Sequence, residues 1–215
     1  MRDSIVGSDV NRYGIYFPGK QYIKYGKWLM YPSNEKLMQE PKILLRQTSD
    51  ILRACYDEKA YYCQNSVFIL HSNEINLKYL LGLLNSKLLG YIYKLHNPQT
   101  GKVFAEIKPS VIKNLPIRPI NLSDTSDKKR HDEIIAKVDA MLEAKRQLVN
   151  AHTDKDKTYY ENRCATLDRQ IDRLVYELYG LTPEEISIVE EATMQAGPGK
   201  LRRGPDARTQ SKIDF

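Results

Sequence analysis

Cysteine is scarce and unpatterned. Cys55, Cys63 and Cys164 make no Cys-x-x-Cys pair and are odd in number. Such a set excludes a disulfide framework and fits a reducing, cytoplasmic setting. Cys55 and Cys63 are expected either to face each other across a hairpin or to serve as small core residues. Histidine is just as sparse: His71, His96, His131 and His152 form no cluster, so neither a zinc site nor a histidine acid or base is assigned. Long apolar runs are missing too. The most apolar stretch, Leu77 to Leu95, carries the polar Asn85 and the charged Lys78, Lys87 and Lys94, which a bilayer core would not accept at such close spacing. Met1-Arg2-Asp3-Ser4 leads into no apolar segment, so no secretory signal is expected.

What the chain does have is an uneven charge. Residues 1–120 hold 17 Lys and Arg against 9 Asp and Glu, a balance of +8; residues 121–215 hold 16 against 18, a balance of −2. The basic half also holds 11 of the 15 tyrosines. Lysine and arginine neutralise phosphate, and tyrosine stacks on or hydrogen-bonds to sugars and bases. The same composition also describes a tyrosine-rich β core with a mildly basic surface.

Periodicity supplies the elements. Tyr13, Tyr16, Phe17, Tyr22, Tyr25, Trp28 and Tyr31 are punctuated by Gly14, Pro18-Gly19, Gly26 and Pro32, which predicts short strands and turns. Lys42 to Gln47 reads as a strand. Ile51 to Tyr56 and Ala60 to Gln64, joined by Asp57-Glu58-Lys59, read as a hairpin, and Val67 to Leu70 as a buried strand. Asn76 caps a leucine-rich helix that runs at 3.6 period to His96, and Lys87 and Lys94 fall on its solvent side. A strand is expected around Val103 to Lys108, then one helical turn from Ser110 to Leu115.

Two long helices follow a polar linker. The first spans about Lys128 to Ala151, with Ile134, Val138, Met141 and Leu148 at four–three spacing. The second spans about Lys157 to Tyr179, with Tyr160, Cys164, Leu167, Ile171, Leu174 and Leu178 on one seam. They should pair as an antiparallel coiled-coil hairpin. Gly180 ends the second helix, and Thr182-Pro183-Glu184-Glu185 caps a third. Val175, Tyr176, Tyr179, Leu181, Ile186, Ile188 and Val189 lie beside the seam. They predict an interface that docks a catalytic part or pairs two copies into a homodimer. The fold class expected is α+β: a recognition domain over 1–120, a helical hairpin with a short C-terminal helix over 128–192, and a disordered tail over 196–215.

Pro41-Lys42-Ile43-Leu44-Leu45-Arg46-Gln47, Asn65-Ser66-Val67-Phe68, Leu80 to Leu89, Ile107 to Ile117 and the ending Leu178-Tyr179-Gly180-Leu181-Thr182 stand in an order with a known counterpart. That order resembles the TaqI-like C-terminal specificity domain, the target recognition part of type IIG restriction enzymes and adenine-specific DNA methyltransferases. The resemblance implies a partner in double-stranded DNA and a methyltransferase or endonuclease part outside this chain. That part would use S-adenosylmethionine and Mg²⁺; no cofactor is assigned to this chain. The Asn/Asp-Pro-Pro-aromatic motif that grips a flipped adenine is replaced here by Asn97-Pro98-Gln99-Thr100, and no glycine-rich cofactor loop precedes it.

Within that reading, Arg46, Gln47 and Ser49 form the turn best suited to base edges, since Arg and Gln make bidentate contacts with guanine and adenine. An ordinary polar turn fits the same residues. Arg53, Tyr56 and Lys59 follow on the expected hairpin, where alternation lets only half face one groove. His96, Asn97, Gln99 and Lys102 form a second loop; a plain helix-to-strand connection fits it as well. Lys20, Tyr22, Lys24 and Lys27 offer a lysine face to phosphate, or a charged edge that blocks strand pairing. No catalytic or metal-binding residue is assigned. Two rivals stand beside this reading: a small metal-dependent nuclease using Glu106 and Lys108, and a coiled-coil association scaffold.

Overall fold

A computed structural model describes residues 1–19, 21–26, 28–29, 34–97 and 105–194. Its strands are β1 (Arg2–Ile5), β2 (Val10–Asn11), β3 (Gly14–Ile15), β4 (Tyr22–Ile23), β5 (Lys42–Arg46), β6 (Ala54–Asp57), β7 (Tyr62–Cys63) and β8 (Val67–Leu70). Its helices are α1 (Glu35–Gln39), α2 (Leu77–Asn85), α3 (Lys87–His96), α4 (Pro109–Lys113), α5 (Thr125–Val149), α6 (Asp154–Tyr179) and α7 (Pro183–Met194). The class is α+β, as expected. The tail and the loop 98–104 lie outside the described residues, and with them Lys20, Lys27, Gln99, Lys102 and most of the strand expected near Val103.

The central sheet has the order β6-β5-β8, all antiparallel. β5 is apolar without alternation because both its faces are covered. Ile43 and Leu45 join the main core under the helices, while Leu44 joins Cys55, Ile5, Val10 and Val67 in a second cluster. All three cysteines are free, and Cys55 and Cys164 are buried. Burial pushes the Cys55 thiol well above its ordinary range and the Cys63 thiol up to about 12, so neither is a thiolate at neutral pH.

The hairpin expected between Ile51–Tyr56 and Ala60–Gln64 does not form. β6 pairs with β5, and β7 pairs in parallel with β1, which also pairs antiparallel with β4. The cause is Asp57. Its carboxylate accepts the N–H groups of Lys59 (2.8 Å) and Tyr61 (3.1 Å) and sits 2.6 Å from the ammonium of Lys42. That ammonium, fully buried, also donates to the Met38 carbonyl at 2.6 Å. The chain is thereby turned away from β6 rather than back along it.

The single leucine-rich helix expected from Leu77 to His96 is two. Ser86 is extended (φ −69°, ψ 153°); its Oγ donates to the Leu83 carbonyl (2.7 Å) and accepts the Leu89 N–H (3.2 Å). The break frees Asn85, whose buried amide pairs with both backbone groups of Ala54, at 2.9 and 3.1 Å. Periodicity ran through the break because both helices keep their apolar faces on one core.

α5 and α6 pack along each other through Ile134, Val138, Met141 and Ala144 on one side and Cys164, Leu167, Ile171, Val175 and Leu178 on the other. The buried stripe moves from Leu174 to Val175, as expected of a straight helix at 3.6 rather than 3.5 residues per turn. α2 lies against α5, where Gly82 lets the backbone come close to Ile134 and Val138. α3 lies against α6 and α7. Most of the apolar residues read as an open interface are therefore core: Val175, Tyr176 and Val189 are buried, and Tyr179, Leu181 and Ile186 pack against the core, while Ile188 is half-buried outside it. Gly180 closes α6 in the left-handed region, at φ 68°.

Polar contacts tie these helices to the sheet region. Arg12 makes two bonds to Asp168 (2.7 and 3.0 Å) and one to the Asn85 carbonyl (2.6 Å). Lys87, read as a solvent-facing residue, is an ion-pair partner instead, 2.5 Å from Glu190 and 3.8 Å from the buried Asp172. Asp172 also accepts the Lys87 N–H at 2.8 Å. Burial, opposed by that bond and by Lys87 and Arg12 and aided by Asp168, pushes its carboxyl up to about 6. Arg118 donates to the Leu178 carbonyl and pairs with Asp127 at 3.2 Å.

Candidate nucleic-acid interface

Three segments far apart in sequence meet at one end of the central sheet. The turn after β5 is one: the Arg46 N–H donates to the Arg53 carbonyl at 3.1 Å, closing the β5–β6 connection. The segment after the undescribed loop is the second. Ile107 N–H donates to the Gln47 carbonyl at 2.8 Å, and Thr48 and Glu106 form a β-bridge. The end of α3 is the third, for Asp50 lies close enough to Tyr93 and Lys94 to raise the affinity of both for a proton. Burial acts first on each, pushing the Tyr93 hydroxyl up to about 12 and the Lys94 ammonium down. The sequence alone placed the 46–50 turn and the 96–102 loop separately; the fold makes their described parts neighbours.

The residues of this end differ in what they have left to offer. Arg46 Nε donates to the Thr48 carbonyl at 2.8 Å, which fixes the guanidinium plane. No hydrogen bond within the described residues occupies its two Nη groups, the fork that meets guanine or phosphate. Gln47 is half-buried, its backbone spliced to Ser66 (2.9 Å) and Ile107 (2.8 Å). Ser49 is buried and its Oγ accepts the Ile51 N–H at 3.4 Å, a turn-forming role. Arg53 is half-buried, and its Nε finds no partner among the described residues. His96 is exposed, with Nδ1 2.9 Å from the Ile92 carbonyl, so Nδ1 carries the proton. Asn97 is buried and donates to the Tyr93 hydroxyl at 2.5 Å, which ties it back onto α3.

Tyr56 and Lys59 stand elsewhere. The β5–β6 register sets Leu45 opposite Ala54 and Lys42 opposite Asp57, so Lys59 leaves the far end of the ladder. There Tyr56, Lys59 and Lys78 line a cavity of about 380 Å³ together with Asp139, Lys145 and Arg146 of α5. Lys78 sits over the Tyr56 ring at 5.5 Å and 2.5 Å from Asp139, which raises its pKa. Tyr22 and Lys24 belong to a third place, on and just after β4; both are exposed, and the Tyr22 hydroxyl donates to the Gly19 carbonyl at 2.8 Å. Sequence reading placed Lys94 on the solvent side of its helix and Trp28 among the turn aromatics, and assigned neither to the site; the single tryptophan between two turn signals was the available clue.

The Glu106–Lys108 pair is a salt bridge at 3.0 Å on half-exposed side chains. Among the described residues no group of three or more His, Cys, Asp or Glu could hold a metal ion, and none therefore includes Glu106. No helix among them is long and apolar enough to cross a membrane.

The chain belongs to the family of the TaqI-like C-terminal specificity domain, whose model matches residues 2–117, just over half its length. Membership supports a DNA target-recognition role in restriction–modification enzymes. The match ends before α5, so the long helical pair lies outside it. No curated protein matches the chain at a significant level.

Proposed function

We propose that this chain reads a specific double-stranded DNA sequence for a type IIG-like restriction–modification enzyme and presents the site to a methyltransferase or endonuclease part carried elsewhere. The observation that carries the reading is the meeting of the Arg46–Arg53 turn, the end of α3 and the Glu106–Lys108 segment at one sheet end. Base readers sit best on side chains whose planes are set in advance. Arg46 has that form, with Nε anchored and both Nη groups unbonded within the described residues. Lys59 and Lys24, exposed and away from this end, suit phosphate contacts that hold without reading. The α5–α6 pair, braced by α2 and α3, is the support on which the catalytic part would be positioned. S-adenosylmethionine and Mg²⁺ would act on that part.

Labelled duplexes titrated at several salt concentrations test the reading. Affinity should fall with a log–log slope of about −0.9 per phosphate contacted. Selection from a random duplex pool should yield a preferred sequence. No binding to any duplex at low salt would end the proposal.

A further inference from the structure

Trp28 is the chain's only tryptophan, and it is 66 % exposed. A tryptophan is rarely left so open without a use, because its ring is the largest apolar surface a residue can bury. The ring is nevertheless fixed. Its Nε1–H donates to the Lys24 carbonyl at 3.1 Å, and the Leu29 N–H closes the turn onto the Gly26 carbonyl at 3.1 Å. A Cβ added at Gly26 would overlap the six-membered ring at Cη2, Cζ2 and Cζ3, so the indole rests on a bare glycine. The Lys24 ammonium stands 5.5 Å from the ring centroid. The local chain is thus shaped around a ring that adds little to the core.

We infer that Trp28 is a stacking platform for one unpaired nucleobase of the bound DNA, with Lys24 meeting the adjoining phosphate. The inference rests on the DNA-recognition reading and deepens it. A base inside a duplex shows only its edges; its face becomes available once it leaves the stack. An indole whose cation lies over the ring in the free chain matches that face and, once the flexible lysine swings aside, the charge next to it. A tryptophan that anchors a protein partner sits among apolar neighbours. Among the described residues of this segment, Tyr22 and Lys24 are exposed, while Tyr25 meets Tyr62 in a tilted ring pair at 5.0 Å.

The emission of Trp28 reports on its own site without a label. The full chain is titrated with a paired duplex and with the same duplex carrying a single-base bulge, binding being followed in parallel by the anisotropy of a dye on the DNA. The bulged duplex should quench Trp28 strongly and the paired one weakly. Trp28→Ala should weaken binding of the bulged duplex roughly tenfold, in the range of one base stacked on an aromatic ring, and leave paired binding as it was. Gly26→Ala, which evicts the ring without removing it, should lose the same preference. Circular dichroism checks that both variants fold. If both duplexes bind but neither variant changes their ratio, the inference fails and DNA recognition stands. If the native chain binds neither duplex, both fail. A concentration-dependent blue shift of Trp28 emission without DNA would make the ring a contact between copies of the chain and overturn the inference.

Discussion

Arg12 and Asp168, 156 positions apart, are joined by two hydrogen bonds of 2.7 and 3.0 Å, and this pair fastens the β2–β3 turn to the middle of α6. The same guanidinium donates to the Asn85 carbonyl at the end of α2, where the helix has run out of partners of its own. One side chain therefore holds three elements. Arg12→Ala should lower stability by about 2 kcal/mol, the scale of hydrogen bonds to charged groups at a site partly open to water. Chemical denaturation of the two single variants and the Arg12→Ala/Asp168→Ala double variant gives their coupling. Strict additivity would show that the pair holds nothing together.

Asp172 makes stability depend on pH with an unusual sign. Burial lifts its carboxyl from 3.8 to about 6 in the folded chain, against the pull of Lys87 and Arg12. Between those values the folded chain keeps a proton that the unfolded chain has released. Its contribution therefore weakens as pH rises from about 4 to about 6 and is level above. Asp172→Asn should remove that slope, so that the native chain loses stability relative to the variant across the window. Urea midpoints at half-unit steps decide it; parallel curves would take Asp172 out of the account.

Gly82 marks the closest approach of α2 to α5. A Cβ there would stand 2.9 Å from Ile134 Cγ2 and 3.0 Å from Val138 Cγ2. Gly82→Ala adds helix propensity, yet overpacking of about 1–3 kcal/mol should outweigh the gain of about 1 kcal/mol. Melting temperature is the readout, and a rise would mean that the two helices can part without loss.

Reading and holding should separate among the residues proposed to contact DNA. Arg46→Ala should alter the sequence selected from a random pool, each bidentate contact being worth about 1–3 kcal/mol of discrimination. Lys59→Ala should weaken all duplexes alike and lower the salt slope by about one. Identical selections from the native chain and Arg46→Ala would remove Arg46 from base readout.

Local chemistry was legible in the sequence, and long-range partnership was not. The caps at Asn76 and Gly180 and the strand Val67–Leu70 rest on neighbouring residues, and they stand where periodicity and capping place them, though of the strand only Val67 is buried. The errors came where a side chain answers to something distant. Asp57 turns the chain toward β7 because Lys42, 15 residues earlier, supplies its counter-charge. Ser86 breaks the leucine-rich helix although the apolar period continues through it, because Asn85 is needed by Ala54, 31 residues away. Val175 and Tyr176 looked surplus because α3 and α7, which cover them, carry no sequence mark of where they dock. At the candidate interface each loop was visible singly. Their convergence was not, since it depends on Asp50 lying near Tyr93 and Lys94 and on the backbone bond between Gln47 and Ile107, all distant in sequence.

The Asn85 amide has a last consequence at the rim of the central sheet. β6 is an outer strand, and the backbone groups of Ala54 that face away from β5 would otherwise invite a foreign strand to add on. Asn85 fills both, and the Tyr13 N–H of the β2–β3 turn also donates to the Ala54 carbonyl at 2.8 Å, so this edge is closed by a side chain and a backbone together. A module that must lie against other macromolecules is thus guarded, on this border, against fusing with its own kind into a growing ribbon.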